Sequence, residues 1–71
     1  SVEPSILLTI QKVNPEYWEP YYIVGEYYYR KKYYTAALNA FQKANTKEIT
    51  TIPNKHKIDL YIKKLKRKLN L

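Results

Sequence analysis

Apolar side chains recur at three- and four-residue spacing in four segments of the chain, which cover residues 5–13, 17–30, 34–48 and 53–69. This spacing places them on one side of a helix, so the pattern predicts an all-α fold. A strand is the competing prediction for YYIVGEYYY, which begins at Tyr21, because aromatic and β-branched residues favour strands. The alternation there is poor and the flanking segments are helical, so a helix is preferred.

Prolines and cap residues set the expected ends of these helices. Asn14-Pro15 ends the first one, because the residue before a proline is pushed out of helical geometry. Pro20 falls in the first turn of the second helix, where its missing N–H costs little. Thr35 is a candidate cap for the third helix, and Thr51 is the expected cap of the fourth.

Small and aromatic residues share one stripe on each of the second and third helices. The stripes are Tyr21, Val24, Gly25 and Tyr28 on the second helix, and Ala37, Phe41 and Ala44 on the third. Glycine and alanine let two helix backbones approach closely, and an aromatic ring fills the remaining space. The two segments therefore predict an antiparallel helical hairpin, with Tyr21, Tyr28 and Phe41 in its core.

The fourth segment predicts an amphipathic helix with a basic outer face. Its apolar stripe is Ile58, Tyr61 or Ile62, Leu65 and Leu69. Of the net charge of +7, most belongs here, since residues 55–71 hold seven Lys or Arg against Asp59 alone. Residues 1–54 hold six Lys or Arg against five acidic residues, so the rest of the chain is nearly neutral.

Length and composition limit the chain to one small domain over residues 1–71 and exclude some kinds of chemistry. There is no cysteine, so a disulfide, a thiolate metal site and a thiol nucleophile are all excluded. The sequence has no run of about 20 apolar residues, so no membrane span is predicted. His56, the only histidine, has no partner at a telling spacing and is expected on the surface. Because the chain begins at Ser1 rather than Met, it is expected to be part of a longer protein.

The two hairpin stripes together resemble the tetratricopeptide repeat. That family has an aromatic, then Leu-Gly, then Tyr, then Ala-x-x-x-Phe and a later Pro on a repeat of about 34 residues. The resemblance implies a half-repeat helix over residues 5–13, a helix-turn-helix repeat over 17–48 and a capping helix over 53–69. The closing proline of the family would fall near Ile49, whereas Pro53 comes later, so either the repeat's second helix or the linker is longer than usual.

A second and weaker resemblance covers NPEYWEPYYIVGEYYYRKKYYTAALNAFQKANTKEITTIP and the Lys-rich final helix. This part is similar to the C-terminal tail of bacterial hydrolases related to acyl-coenzyme A:6-aminopenicillanic-acid acyltransferases, which are autoproteolytic N-terminal-nucleophile enzymes. Their catalytic residue is a cysteine, so none can be assigned in this chain. The resemblance implies an accessory domain of such an enzyme.

In tetratricopeptide proteins the first helix of each repeat lines the ligand groove. The resemblance therefore implies a partner-binding face that turns away from the repeat's second helix and consists of Glu19, Tyr22, Glu26, Tyr29 and Arg30. The alternative is that Tyr22 and Tyr29 pack against the helix of residues 5–13. Glu26 would repel the terminal carboxylate that chaperone-tail-binding members of the family hold, so such acidic tails are not expected to bind.

The basic face of the last helix has three interpretations. Its residues are Lys63, Lys64, Lys66, Arg67 and Lys68. It is a solvated surface, an attachment to nucleic acid or an anionic membrane surface, or a contact with an acidic domain of the same protein. We expect a non-catalytic protein-interaction or domain-docking module without cofactor or metal. Its expected partner is another protein, a peptide, an upstream domain or a second copy, with nucleic acid less expected.

Overall fold

The computed structural model describes residues 17–47, 49 and 51–71, and the helix expected over residues 5–13 lies outside this part of the chain. The described residues form three α-helices and no strand. We label them α1 (Glu19–Arg30), α2 (Tyr34–Asn45) and α3 (Ile52–Lys68). The all-α prediction with a helical hairpin and a flanking C-terminal helix is therefore confirmed.

Helix α1 begins with favourable residues and ends in a Schellman motif. Glu19 places a carboxylate near the positive end of the helix dipole, and Pro20 occupies the first turn, as predicted. At the other end, Lys32 adopts the left-handed conformation with a φ of 65°. The N–H of Lys32 donates to the Tyr29 carbonyl at 3.0 Å, and that of Tyr33 donates to the Tyr28 carbonyl at 2.9 Å. These two bonds satisfy carbonyls that the helix end would otherwise leave unpaired.

Helix α2 differs from the prediction at both ends. It starts without a side-chain cap, and Thr35 lies inside its first turn, so the cap predicted at Thr35 is wrong. The helix ends at Asn45, before the expected residue 48. Helix α2 is therefore not extended toward Pro53.

Helix α3 begins and ends close to the predicted residues. The Thr51 side chain accepts a hydrogen bond from the Asn54 N–H at 3.4 Å, which confirms the cap predicted there. After Lys68, Asn70 has a φ of 58°, and the Leu71 N–H donates to the Lys66 carbonyl at 2.7 Å. The last helix thus also closes with a left-handed residue, here the asparagine that tolerates this conformation best after glycine.

The contact between α1 and α2 centres on Gly25 and Phe41. Phe41 is fully buried, as are Ala37 and Ala44 on the same side of α2. A Cβ atom placed on Gly25 would lie 2.8 Å from two atoms of the Phe41 ring. Only a glycine allows the backbone of α1 to approach the ring this closely. The predicted role of the hairpin stripes agrees with this packing.

Helix α3 packs on the hairpin through one apolar side. Ile58 and Leu65 are fully buried, and Tyr61 stacks on Phe41 with ring centroids 4.4 Å apart and planes inclined by 9°. Near its start, Lys55 donates a hydrogen bond to Asn45 at the end of α2. Near its end, Lys68 lies over the ring of Tyr34 at the beginning of α2. Helices α2 and α3 are therefore antiparallel, as α1 and α2 are.

Candidate protein-interaction surface

Tyr22 and Tyr29 lie in an aromatic cluster between the helices. The ring centroid of Tyr22 is 5.6 Å from that of Phe41 on α2 and 5.9 Å from that of Tyr61 on α3. The Tyr29 ring is 5.9 Å from Tyr34 on α2 and 5.2 Å from Tyr61. The expectation that these two tyrosines turn away from the repeat's second helix is therefore wrong. The division of the tyrosines into a core group and a partner-binding group that contains Tyr22 and Tyr29 is wrong for the same reason.

The carboxylate of Glu26 lies at the edge of this aromatic cluster. It accepts a hydrogen bond from the Tyr61 hydroxyl at 3.1 Å, which joins α1 to α3. Partial burial and the nearby charge of Glu26 raise the pKa of Tyr22 to about 12. The same two causes raise the pKa of Tyr61, while the positive charge of Arg30 partly opposes them. Glu26 thus keeps part of its surface in solvent but is fixed in place by the phenol of α3.

A stripe along α1 lies beside the contacts with α2 and α3, and Glu26 is its one member shown to contact another described helix, through the hydrogen bond from Tyr61. We call it the α1 stripe; it consists of Glu19, Ile23, Glu26, Tyr27 and Arg30. Four of these positions follow the i, i+4, i+7, i+11 spacing that lines one side of a helix. Glu19 and Arg30 are exposed, and the other three are half-buried. Neither Ile23 nor Tyr27 belongs to the buried core cluster or to the side chains packed on it.

Three of the five residues predicted to bind a partner are on the α1 stripe, namely Glu19, Glu26 and Arg30. Glu19 accepts a hydrogen bond from the Tyr17 hydroxyl at 2.7 Å, which orients its carboxylate. Ile23 and Tyr27 were missed by the sequence analysis. The spacing of Ile23 from Glu19 and of Tyr27 from Ile23 was the available signal, but the competing aromatic pattern of Tyr22 and Tyr29 obscured it.

The basic residues of α3 are at the surface. Lys63, Lys64, Lys66, Arg67 and Lys68 are all exposed. Of these, Lys68 contacts the hairpin, with its Nζ 5.1 Å from the centroid of the Tyr34 ring. His56 is also exposed, as predicted. The exposure of the five basic side chains is what each of the three interpretations of this face requires.

Within residues 17–47, 49 and 51–71, no group of three or more His, Cys, Asp or Glu side chains is arranged to hold a metal ion. None of the helices in this part of the chain combines the length and the apolar character that crossing a membrane requires.

Comparison with protein-family models, with curated proteins and with solved structures finds no match to this chain. The likeness to tetratricopeptide repeats and the weaker likeness to an acyltransferase tail therefore stay predictions from the sequence.

Proposed function

We propose that this chain is a non-catalytic helical-repeat module that binds a segment of another protein along the α1 stripe. The observation that carries the proposal is the distribution of side chains around α1. Its large aromatic residues Tyr22 and Tyr29 contact α2 and α3, whereas Ile23 and Tyr27 lie outside the core cluster. Partly exposed apolar side chains among charged ones are a common composition for a protein-binding surface.

The charges of the α1 stripe suggest the kind of segment that fits it. Glu19 and Glu26 are acidic, Arg30 is basic and lies at the C-terminal end, and Ile23 lies between the two carboxylates in sequence. Eleven residues of helix span about 16 Å from Glu19 to Arg30. A complementary peptide therefore has an apolar residue with a basic residue on each side, and an acidic residue beyond one of the two basic residues. The two carboxylates would repel a strongly acidic tail, which agrees with the expectation from the sequence.

The largest fully buried side chains of the described helices are not on the α1 stripe. They are Phe41 on α2 and Ile58 and Leu65 on α3. Substitutions of exposed or half-buried residues outside such a core usually change stability little. Variants of Ile23 and Arg30 are therefore expected to fold and to report on binding, whereas Glu26 is left unchanged because its carboxylate also holds Tyr61.

A peptide library selected on the full chain tests the proposal. The selected peptides are expected to share the basic–apolar–basic–acidic pattern, and NMR shift changes on binding are expected along Glu19–Arg30. Ile23→Asp and Arg30→Glu should each weaken binding at least about tenfold, which is the loss of roughly 1.4 kcal/mol of contact energy. Gln42→Asp and Lys43→Glu change the charge by the same amounts on exposed positions of α2 and should have little effect.

Two results would contradict the proposal. One is that the selected peptides bind with shift changes confined to α2 or α3. The other is that the α2 control variants weaken binding as much as the variants of the α1 stripe do, because the effect would then reflect net charge alone.

A further inference from the structure

The antiparallel order of the helices brings two separate basic segments to one end of the molecule. Helix α1 ends with Arg30 and the turn after it contains Lys31 and Lys32, while α3 ends with Arg67 and Lys68. Lys68 Nζ lies 5.1 Å from the centroid of Tyr34, which follows the turn directly. More than 30 residues separate these segments in the sequence, and only the fold makes them neighbours.

We call this region the basic–aromatic end; it consists of Arg30, Lys31, Lys32, Tyr33, Arg67 and Lys68. All six residues are exposed. No Asp or Glu occurs in residues 27–34 or 60–71, the stretches that form and surround it. None of its basic side chains forms an ion pair within the part of the chain that the structure describes. The acidic residue nearest to this end in α1 and α3 is Glu26, one turn before Arg30 on α1, and its carboxylate is hydrogen-bonded to Tyr61.

An exposed aromatic ring lies among these charges. Tyr33 is 59% exposed, more than any other tyrosine in the described part of the chain. Its backbone is held by the hydrogen bond from its N–H to the Tyr28 carbonyl, and its ring centroid is 6.2 Å from that of Tyr28. The left-handed conformation of Lys32 makes the sharp turn that projects Tyr33 from the end of the hairpin. The ring is thus displayed on a fixed backbone.

We propose that the basic–aromatic end binds single-stranded nucleic acid, with phosphates on the lysine and arginine side chains and a base stacked on Tyr33. Aromatic rings beside a positively charged surface are the usual elements of such binding, and stacking is tolerant of sequence. A base in a duplex is not free to stack on the ring. An acidic peptide has phosphate-like charge but offers no base to Tyr33. A bilayer would meet little apolar surface here, since Tyr33 and Leu71 are the large exposed apolar side chains at this end.

Fluorescence anisotropy with a labelled oligodeoxythymidylate of about 12 nucleotides tests the proposal on the full chain. The logarithm of the binding constant should fall linearly with the logarithm of the salt concentration. If four phosphates are neutralised, the slope is about −3, since each contributes roughly −0.7 on a single strand. A duplex of the same length should bind at least about fivefold more weakly at equal salt, because its bases are paired and none is free to stack on Tyr33.

Matched variants separate this site from the general charge of the protein. Lys31→Gln with Lys68→Gln removes two charges from the basic–aromatic end, and binding should weaken about tenfold. Lys43→Gln with Lys57→Gln removes two charges from exposed positions at the other end and should weaken it less than about threefold. Tyr33→Ala should weaken binding at least about fivefold, whereas Tyr33→Phe keeps the ring and should bind as the unchanged protein does.

Three results would overturn the proposal. The first is equal weakening by the two double variants, which would assign the binding to net charge. The second is unchanged binding by Tyr33→Ala when circular dichroism shows that the variant is folded. The third is binding to vesicles containing phosphatidylserine, or to polyglutamate, that is as tight as binding to the oligonucleotide at equal salt. Because the site shares only Arg30 with the α1 stripe, and Arg30 is left unchanged, failure here does not affect the peptide-binding proposal.

Discussion

Replacement of Gly25 by alanine tests the packing on which the hairpin depends. The new Cβ atom would lie 2.8 Å from Cε1 and Cζ of Phe41 and 2.9 Å from Cδ1. Ordinary van der Waals contact would require the ring to retreat by roughly 0.6 Å. Its other face is stacked on Tyr61 at 4.4 Å, so this retreat would disturb α3 as well. The substitution therefore overpacks a contact that involves all three helices.

The magnitude follows from two opposing effects. Overpacking a well-packed core costs about 1–3 kcal/mol. Alanine is a better helix former than glycine by about 1 kcal/mol in a helix interior, which offsets part of that cost. We expect Gly25→Ala to lower the free energy of unfolding by about 1 kcal/mol. Urea denaturation followed by the circular dichroism of the helices measures it.

A double-mutant cycle with Phe41→Leu identifies the cause. Leucine removes the ring atoms that the new Cβ would meet, so only the helix preference of alanine should remain. In the Phe41→Leu background, Gly25→Ala is therefore expected to stabilise the protein by up to about 1 kcal/mol. The sign of the effect should reverse, with a coupling energy of roughly 2 kcal/mol. Stabilisation by the same amount in both backgrounds would refute the proposed contact between Gly25 and Phe41.

Three further predictions concern the helix ends and the aromatic cluster. Lys32→Gly should raise the free energy of unfolding by roughly 0.5–1 kcal/mol in urea denaturation, because glycine adopts the left-handed φ without steric cost; a loss of stability would contradict this. Thr51→Ala should lower the free energy of unfolding by about 1 kcal/mol through loss of the hydrogen bond from the Asn54 N–H. Thr51→Ser keeps a hydroxyl that can accept this bond and should therefore lower the free energy of unfolding much less. The pKa of Tyr22 is about 12 in the folded protein and 10.0 without its neighbours, so the unfolded chain loses this proton first and stability should fall between those pH values. In Tyr22→Phe, unfolding midpoints measured from pH 9 to pH 12 should fall less steeply than in the unchanged protein; equal slopes would assign the fall to other groups.

The hairpin was predictable from sequence because its contacts use residue types with few alternatives. A single glycine at the correct distance from Phe41 identifies the point of closest approach between two helices. Thr51 is a cap residue directly before a first turn that contains a proline, and this combination identifies the start of a helix. The expected helix ends and core positions on α3, including Ile58 and Leu65, follow from the same kind of local information.

The side of α1 that α3 covers could not be predicted in the same way. Tyr22 and Tyr29 lie on one side of Gly25 around α1, and Tyr21 and Tyr28 lie on the other. Sequence periodicity shows that both pairs exist, but the path of the linker between α2 and α3 decides which pair is covered. That linker contains no glycine or repeated motif to fix its direction.

Local sequence rules do not predict the conformation of the turn after α1 either. A Schellman motif usually has glycine in the left-handed position, and here it has Lys32. Nor does the sequence show that Lys31 and Lys68 belong to one end of the molecule. Only the antiparallel packing of α3 on α2 brings their two segments together.

Each described helix packs chiefly on the helix next to it in the chain, which has a consequence for how fast the protein folds. Contacts between neighbouring helices close short loops, and chains with such local contacts fold within microseconds to milliseconds. The contacts of Tyr61 with α1 are the exception, since its hydrogen bond to Glu26 joins residues 35 positions apart and its ring also lies beside Tyr22 and Tyr29. We expect these contacts to form after both neighbouring pairs of helices have met. Tyr61→Phe should then accelerate unfolding in stopped-flow experiments and leave the folding rate nearly unchanged.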